Sequence, residues 1–213
     1  MSMNKPRKVS LAATAAAAMA GTAGAARNKK VVAKLIAGIR DDDDKVRAEA
    51  WLGAGKFGAA AVKPLAKVMT DKDFEIARAA KHGLWKIVRH VGRPGAVKKK
   101  TAVVGKLLEL LGDDQPVSVR REVLWMLSEI GNRKTVEPIA ALLSNKDLRE
   151  DARMVLQRIP TRTALVALRA GFKAAPEDFK LNIAQSLRQR GVKVRGYPCV
   201  KLVPTKKTNV KPL

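Results

Sequence analysis

Apolar and small residues recur along this chain at intervals of four, and each run ends about twelve residues after it begins. Five copies of the pattern are present, and they begin at Val46, Ile76, Val119, Leu148 and Phe179. Residues four and eight places apart lie on one face of an α-helix, so each copy predicts an amphipathic helix. Gly or Pro stands at offset twelve in four copies and predicts the helix end, whereas Val88 holds that place in the second copy.

A second set of apolar runs predicts one partner helix for each of these helices. The runs span residues 31–39, 62–69, 103–111, 136–143 and 165–172. Asp-rich or Asn-containing turns follow them, and such side chains cap the helix that comes next. We call the helices of the five copies A helices and their partners B helices.

The spacing of the A helices indicates how the pairs are arranged. Their starts lie 30, 43, 29 and 31 residues apart. A period near 30 is typical of repeats that stack on their neighbours and share one apolar interior. We therefore predict an all-α fold, an α-solenoid (superhelix) of about five to six helix pairs. The repeat domain is expected over residues 31–191, between a basic Ala-rich segment at 1–30 and a basic extended tail at 192–213.

The start of the A helices carries a resemblance to a known family. A Val-Arg pair opens two of them, and an Asp-containing turn precedes each. In these features the chain resembles HEAT repeats, and its period resembles the short form named after phycobilisome lyases. The resemblance implies that the opening arginines, Arg47, Arg120 and Arg149, are structural and pair with turn aspartates of neighbouring repeats. It also implies that the B helices line a concave face, and it implies no particular activity.

The three tryptophans stand at different offsets within their repeats. Trp51, Trp85 and Trp125 lie five, nine and six residues after the repeat starts. Because these offsets do not form one aligned column, we do not expect an aromatic track that stacks bases. We predict that the three side chains pack in the core or between repeats.

The N-terminal segment allows two interpretations. A basic start, an Ala-rich run and small residues at 23–25 are typical of an export signal. Alternatively, the residues at offsets zero, four, eight and twelve from Val9 match the repeat and predict a sixth A helix, which would pair with the helix at 31–39. We favour this capping helix, and with it a cytoplasmic protein; the export signal would imply an exported or periplasmic one. Loss of the first 25 residues from the intact mass of the native protein would contradict our choice.

The charge of the chain indicates the kind of partner. The net charge is +24; residues 1–30 carry six Lys or Arg and residues 179–213 carry nine, with no acid in either segment. A field of this sign attracts polyanions such as nucleic acid or acidic proteins, and it also favours solubility. No run of 18 strongly apolar residues predicts a transmembrane helix.

Side chains that could build an active site are few. His82 and His90 are eight residues apart, which is not the spacing of a helical metal pair, and the single Cys199 excludes a Cys-rich zinc site. The acidic run at 41–44 lacks the glycine turn and distal glutamate of a calcium loop. We expect no catalytic residue, metal or cofactor. An enzymatic role shared with another subunit, as a lyase or oxidoreductase, stays open.

Two groups of cations are candidate partner sites. The second repeat is longer than the others, and Gly92, Pro94 and Gly95 predict a loop there. The cations of this insertion are Arg89, Arg93, Lys98, Lys99 and Lys100. The cations expected on the concave face are Lys34, Lys63, Lys67, Lys106, Arg133 and Arg169. We expect a scaffold or adaptor that binds a protein, in particular an acidic one, with non-specific nucleic-acid binding as the alternative.

The last residues leave the repeat pattern. From residue 192 apolar and basic residues alternate, and prolines interrupt them. We expect this tail to fold back over the last repeat and to end in a loose basic segment. The residues expected to make the cap are Val194, Tyr197, Val200, Leu202 and Val203.

Overall fold

The computed structural model describes residues 28–198, and every regular element in that range is helical. The chain divides into two compact units, Met1–Ile130 and Gly131–Leu213. Both interpretations of the N-terminal segment concern residues outside the described range. The tail residues outside it include Cys199, Val200, Leu202 and Val203.

The first unit consists of two layers of helices. Its described α-helices are residues 28–39 (α1), Asp44–Leu52 (α2), Val62–Val68 (α3), Phe74–Gly92 (α4), Val97–Leu108 (α5) and Val117–Ile130 (α6). Short 3₁₀ segments follow α2 at Gly53–Ala61 and α5 at Glu109–Leu111. The A helices α2, α4 and α6 lie side by side, and the B helices α3 and α5 contact each other beneath them. The predicted alternation of A and B helices is therefore confirmed in this unit.

The second unit repeats the arrangement with fewer helices. Its described α-helices are Val136–Ala141 (α7), Arg149–Arg158 (α8), Arg162–Ala174 (α9) and Glu177–Gln189 (α10). The 3₁₀ segments Arg133–Thr135 and Leu142–Ser144 flank α7. The A helices α8 and α10 are neighbours, and so are the B helices α7 and α9.

Aspartate side chains start two of the A helices. The Asp43 carboxylate accepts a hydrogen bond from the backbone N–H of Lys45 at 2.8 Å. Asp73 accepts from the backbone N–H of Glu75 at 2.8 Å in the same way. Each carboxylate satisfies an N–H that the helix leaves without a partner and carries negative charge at its positive end. The Asp-rich turns thus act as the helix caps that the sequence predicts.

The ends of the A helices follow the sequence prediction at glycine but not at Val88. Gly58 and Gly191 have φ angles of 57° and 76°, a conformation that glycine adopts without steric cost and that turns the chain. At Val88, where the second copy has neither Gly nor Pro, α4 does not end at offset twelve and continues to Gly92. The Val88 side chain is only 1% exposed, so it extends the buried stripe of the helix.

The predicted loop over residues 89–100 is also largely helical, and only residues 93–96 form a turn. Gly92 remains in the helix although glycine lowers helix stability by about 1 kcal/mol. A Cβ atom there would lie 3.4 Å from Ile130, so the end of α4 packs closely on the end of α6. Pro94 follows two residues later, where a helix has already ended. Packing between neighbouring A helices therefore shortens the loop.

Small residues allow the helices to approach closely in the first unit. A Cβ atom on Gly38 of α1 would lie 3.0 Å from the Ala50 Cβ of α2. A Cβ atom on Gly55 would lie 3.0 Å from the His90 Cβ of α4. The largest fully buried side chains of this unit fill the space between the layers: Ile39, Leu65, Leu84, Ile87, Leu107, Leu124, Met126, Leu127 and Ile130.

An arginine joins the two A helices of the second unit. Arg190, at the end of α10, donates from Nη1 to the carbonyls of Leu156 at 3.0 Å and Ile159 at 2.6 Å. Its Nη2 donates to the carbonyl of Thr161 at 2.9 Å. These carbonyls belong to the last turn of α8 and the residues after it, where helical partners are missing. The guanidinium of Arg190 on α10 therefore caps the C-terminal end of α8 in the preceding repeat.

The described part of the tail folds back over the last repeat. The Tyr197 ring meets the Phe172 ring of α9 edge to face, with centroids 5.1 Å apart. Arg188 of α10 donates to the carbonyls of Val194 and Tyr197. As far as residue 198, the tail lies where the sequence analysis expects it.

Candidate partner-binding surface

The insertion in the second repeat brings five cations to one corner of the first unit. Arg89 lies in the last turn of α4, Arg93 follows that helix, and Lys98, Lys99 and Lys100 lie in the first turn of α5. We call these five residues the basic corner. No acidic residue stands in the first turn of α5, and Ala96 offers that helix no side-chain cap.

The turn between the two helices holds the basic corner open to solvent. Gly95 has a φ angle of 81°, which a residue with a Cβ atom rarely adopts. Residues 93–99 line an open depression of about 590 Å³. Four of the five cations are exposed, and Lys100 is half-buried. The turn therefore presents a concave basic surface to solvent.

The cations of the basic corner are not neutralised within residues 28–198, where none of them forms an ion pair with an acid. Instead, the guanidinium of Arg89 lies 5.6 Å from the centroid of the Trp85 ring, and Arg93 Nη1 lies 3.4 Å from His90 Nδ1. Burial and then the charges of Arg93 and Lys99 lower the pKa of His90.

The candidate cations expected on the concave face differ among themselves: two are paired with an acid and four are exposed. Lys63 and Lys106 both pair with Glu109, each at 2.6 Å. Hydrogen bonds from Lys106 and then Lys63 lower the pKa of the Glu109 carboxyl. Two of the predicted partner-binding lysines are therefore held by one acid of their own chain. Lys34 and Lys67 are exposed in the first unit, and Arg133 and Arg169 are exposed in the second.

Two of the arginines that open the A helices pair with an acid close to them in sequence. Arg47 donates to the carbonyl of Asp41 at 2.5 Å and pairs with Asp44, and Arg120, only 5% exposed, pairs with Asp113 at 2.8 Å. Both pairs lie within the arginine's own turn and helix, not with a neighbour as the resemblance implied. The acids of the arginine's own turn and first helical turn are already within reach of its side chain, so a partner on a neighbouring repeat is not needed.

The third opening arginine, Arg149, does contact a neighbouring repeat, as the resemblance implies, and a further ion pair joins repeats in the first unit. Arg149 pairs with Asp178 of the next A helix at 2.6 Å, and its guanidinium lies 4.7 Å from the Phe179 ring. In the first unit, Arg40 at the end of α1 pairs with Asp71 in the turn before α4 at 2.7 Å. A basic residue directly after a B helix, such as Arg40, is thus a sequence signal for an ion pair between repeats that the spacing of apolar residues does not show.

Trp51 and Trp85 lie between neighbouring A helices. The Trp51 ring of α2 meets the His82 ring of α4 edge to face at 5.0 Å, and Lys86 Nζ lies 5.5 Å from its centroid. Trp85 Nε1 donates to Glu122 Oε1 of α6 at 2.6 Å. Their offsets of five and nine differ by one helical turn, so both rings lie on the same side of the A-helix layer.

The third tryptophan is not part of the core. Trp125 is 48% exposed, so a position in the core is wrong for it, and the inter-repeat position stays a prediction. On α6 the buried stripe is formed by residues such as Val123, Leu124 and Leu127. At about 100° per residue, residue 125 falls nearly opposite the centre of that stripe, on the side of α6 that also carries the exposed residues 121 and 129.

The described residues contain no other recognisable centre of chemistry. Between residues 28 and 198, no group of three His, Cys, Asp or Glu side chains is arranged to hold a metal ion. Within the same range, none of the helices has the length and apolar character needed to cross a membrane.

Comparison with known families identifies the repeats. The family model for HEAT repeats matches residues 7–85 and 104–188, which together are more than half of the chain. The chain therefore belongs to the HEAT-repeat family, and the prediction of an all-α fold of the α-solenoid class is confirmed. The match leaves out residues 86–103, and all five cations of the basic corner lie in that gap.

Other comparisons add similarity but no close relative. No curated protein matches this chain in sequence. Among solved structures, it is similar to a designed armadillo repeat protein in complex with the peptide (KR)4, at 19% identity and a TM-score of 0.42, covering 73% of this chain and 80% of that one. A second designed armadillo repeat protein is similar at 17% identity and a TM-score of 0.40, with the same coverage.

Proposed function

We propose that this chain is a non-enzymatic HEAT-repeat scaffold or adaptor, and that its basic corner binds an acidic segment of a partner protein. The observation that carries the proposal is the state of the five cations. They lie together on two helices and a short turn, and no acid within residues 28–198 pairs with them. They also fall in the one internal gap of the HEAT-repeat match, so the generic repeat does not require them.

A contrast with two of the lysines expected on the concave face supports this choice of surface. Lys63 and Lys106 share Glu109, so a partner would have to compete with an internal carboxylate. A partner that binds the basic corner displaces no internal carboxylate from Arg93, Lys98 or Lys99. Exposed charges of this kind accelerate and orient association more than they add affinity, so the binding should weaken steeply with salt.

A matched pair of triple variants tests the proposal. Arg93→Glu, Lys98→Glu and Lys99→Glu together reverse the basic corner. Lys146→Glu, Lys173→Glu and Lys193→Glu make the same change in charge at exposed positions of the second unit. The probe is fluorescein-labelled poly-glutamate of about 20 residues, titrated by anisotropy against the full chain at low salt. We expect the corner variant to lose at least tenfold in affinity and the control variant to lose less than threefold.

Two results would overturn the proposal. Equal losses in both triple variants would show that only net charge matters. Tight binding of duplex DNA with a slope of log K against log salt near −5, expected for about six neutralised phosphates, together with no binding of poly-glutamate, would assign the corner to nucleic acid.

Two finer points belong to the same proposal. The period near 30 supports the short, phycobilisome-lyase type of HEAT repeat as a matter of fold, with no bilin chemistry attached to it. The interpretation of residues 1–26 as a capping helix supports a cytoplasmic location.

A further inference from the structure

The turn that carries the basic corner also exposes an aliphatic side chain. Val97, the first residue of α5, is 72% exposed. It lines the same depression as Arg93, Lys98 and Lys99, and Pro94 adds further apolar atoms to that lining. We call Pro94 and Val97 the aliphatic spot. Cationic and apolar groups of the first unit therefore border one and the same space.

The exposure of Val97 follows from its place on α5. It stands seven residues before Val104, which is about two helical turns, so the two side chains lie on one face of the helix. Val104 is 4% exposed and belongs to the core, whereas Val97 lies beyond the region that the neighbouring helices cover. The apolar stripe of α5 thus extends from the core to the depression.

Hydrogen bonds fix the backbone at this end of α5. The Lys100 N–H donates to the carbonyl of Ala96 at 2.8 Å, and Thr101 Oγ1 donates to the carbonyl of Val97 at 3.0 Å. The N–H of Ala96 donates to the carbonyl of Arg93 at 3.4 Å and closes the turn. Because these bonds already order the segment, a ligand does not have to order it on binding, which lowers the cost of association.

Resting on the proposed function, we infer that the acidic partner segment carries an aliphatic side chain such as leucine, which packs on Val97 while its neighbouring carboxylates contact Arg93, Lys98 and Lys99. Burial of apolar atoms would add affinity, and the exposed cations around them would orient the approach of the segment. A segment of Asp and Glu alone would leave the aliphatic spot in contact with water.

A protein segment fits this surface better than a nucleic acid strand. A phosphodiester backbone is bound by cations and hydrogen-bond donors, and it has no apolar group that could cover a valine. Single strands are bound in addition by stacking of bases on aromatic side chains, but residues 93–99 include no aromatic residue. A protein segment supplies both carboxylates and an aliphatic side chain within a few residues.

The experiment uses two synthetic peptides of about 16 residues that differ at one position. Both are rich in glutamate; one has leucine at its centre and the other has serine there. Each is titrated by anisotropy at low salt against the full wild-type chain, Val97→Ala, Val97→Ile and Val166→Ala. Val166 is a matched control because it is a 56% exposed valine of the second unit that lines a depression together with Arg133 and Arg162. Far-UV circular dichroism verifies that each variant retains its helices.

We expect the wild-type chain to bind the leucine peptide about fivefold more tightly than the serine peptide, because part of an aliphatic side chain becomes buried. Val97→Ala should reduce this ratio to less than twofold. Val97→Ile should retain the ratio, since it keeps a branched aliphatic side chain at the same place. Val166→Ala should also retain it, because the control valine lies outside the basic corner.

The possible failures are distinguishable. Equal binding of both peptides by the wild-type chain, with a loss of affinity in the triple variant of the basic corner, would overturn the inference and leave the proposed function intact. A preference for the leucine peptide that persists in Val97→Ala would place the apolar contact elsewhere and overturn the inference. Absence of binding by either peptide would overturn both, and tight binding of oligothymidylate in that case would assign the basic corner to nucleic acid.

Discussion

Replacement of Arg190 by alanine tests whether neighbouring repeats are joined as the structure indicates. Two N–H groups of Arg190 donate to carbonyls at and after the end of α8, and the shortest distances are 2.6 Å to Ile159 and 2.9 Å to Thr161. A hydrogen bond from a charged donor contributes about 1.5–3 kcal/mol. Because Arg190 itself is half-buried, we take the lower end of this range for each bond, so the two together should contribute about 3 kcal/mol.

Hydrogen exchange resolves this effect within the second unit. A loss of about 3 kcal/mol should accelerate exchange of the most protected amides of α8 and α10 by about 100-fold, since about 1.4 kcal/mol corresponds to a factor of ten. Arg190→Lys keeps the charge but not the two-pronged geometry, so it should recover about half of the loss. Exchange in Arg190→Ala within threefold of that in the exposed control Gln189→Ala would refute the capping role of Arg190.

Three further predictions follow from the same contacts. Gly105→Ala should stabilise the chain by about 1 kcal/mol in urea unfolding, since a Cβ atom meets nothing within 4 Å there, whereas Gly38→Ala should destabilise it because the new Cβ would lie 3.0 Å from α2. The hydrogen bond from Arg149 lowers the pKa of the Asp178 carboxyl in the folded chain. The stability that this ion pair contributes is therefore present above the unfolded pKa of Asp178 and is lost as the pH falls through the folded pKa. In Arg149→Met, carboxyl NMR titration should show that the pKa of Asp178 rises. Lys63→Ala should weaken poly-glutamate binding less than alanine at a lysine of the basic corner, and an equal loss would contradict the pairing of Lys63 with Glu109.

The helices could be predicted from spacing because each amphipathic stripe is a local property of the chain. Asp43 and Asp73 could be predicted as caps for the same reason, since a cap depends on neighbours within three residues. Val88 and the loop after it could not be predicted in this way. Whether the chain stays helical near Gly92 depends on its contact with Ile130, which is distant in sequence.

The surface was harder to predict than the fold. The basic corner is visible in the sequence because its cations are close together along the chain. The pairing of Lys63 with Glu109 is not visible, since the two residues lie on different B helices. A core position for Trp125 is wrong because aromatic character alone predicts burial, whereas its angular position on α6 places it opposite the buried stripe.

A hydrogen-exchange footprint of the full chain with and without saturating poly-glutamate tests the central claim most directly. We expect protection to be gained mainly in residues 86–103, at the end of α4, the turn and the start of α5, and segments of equal positive charge in the second unit to change little. Protection spread evenly over the basic segments of both units, or confined to segments outside residues 86–103, would contradict the assignment of the binding surface.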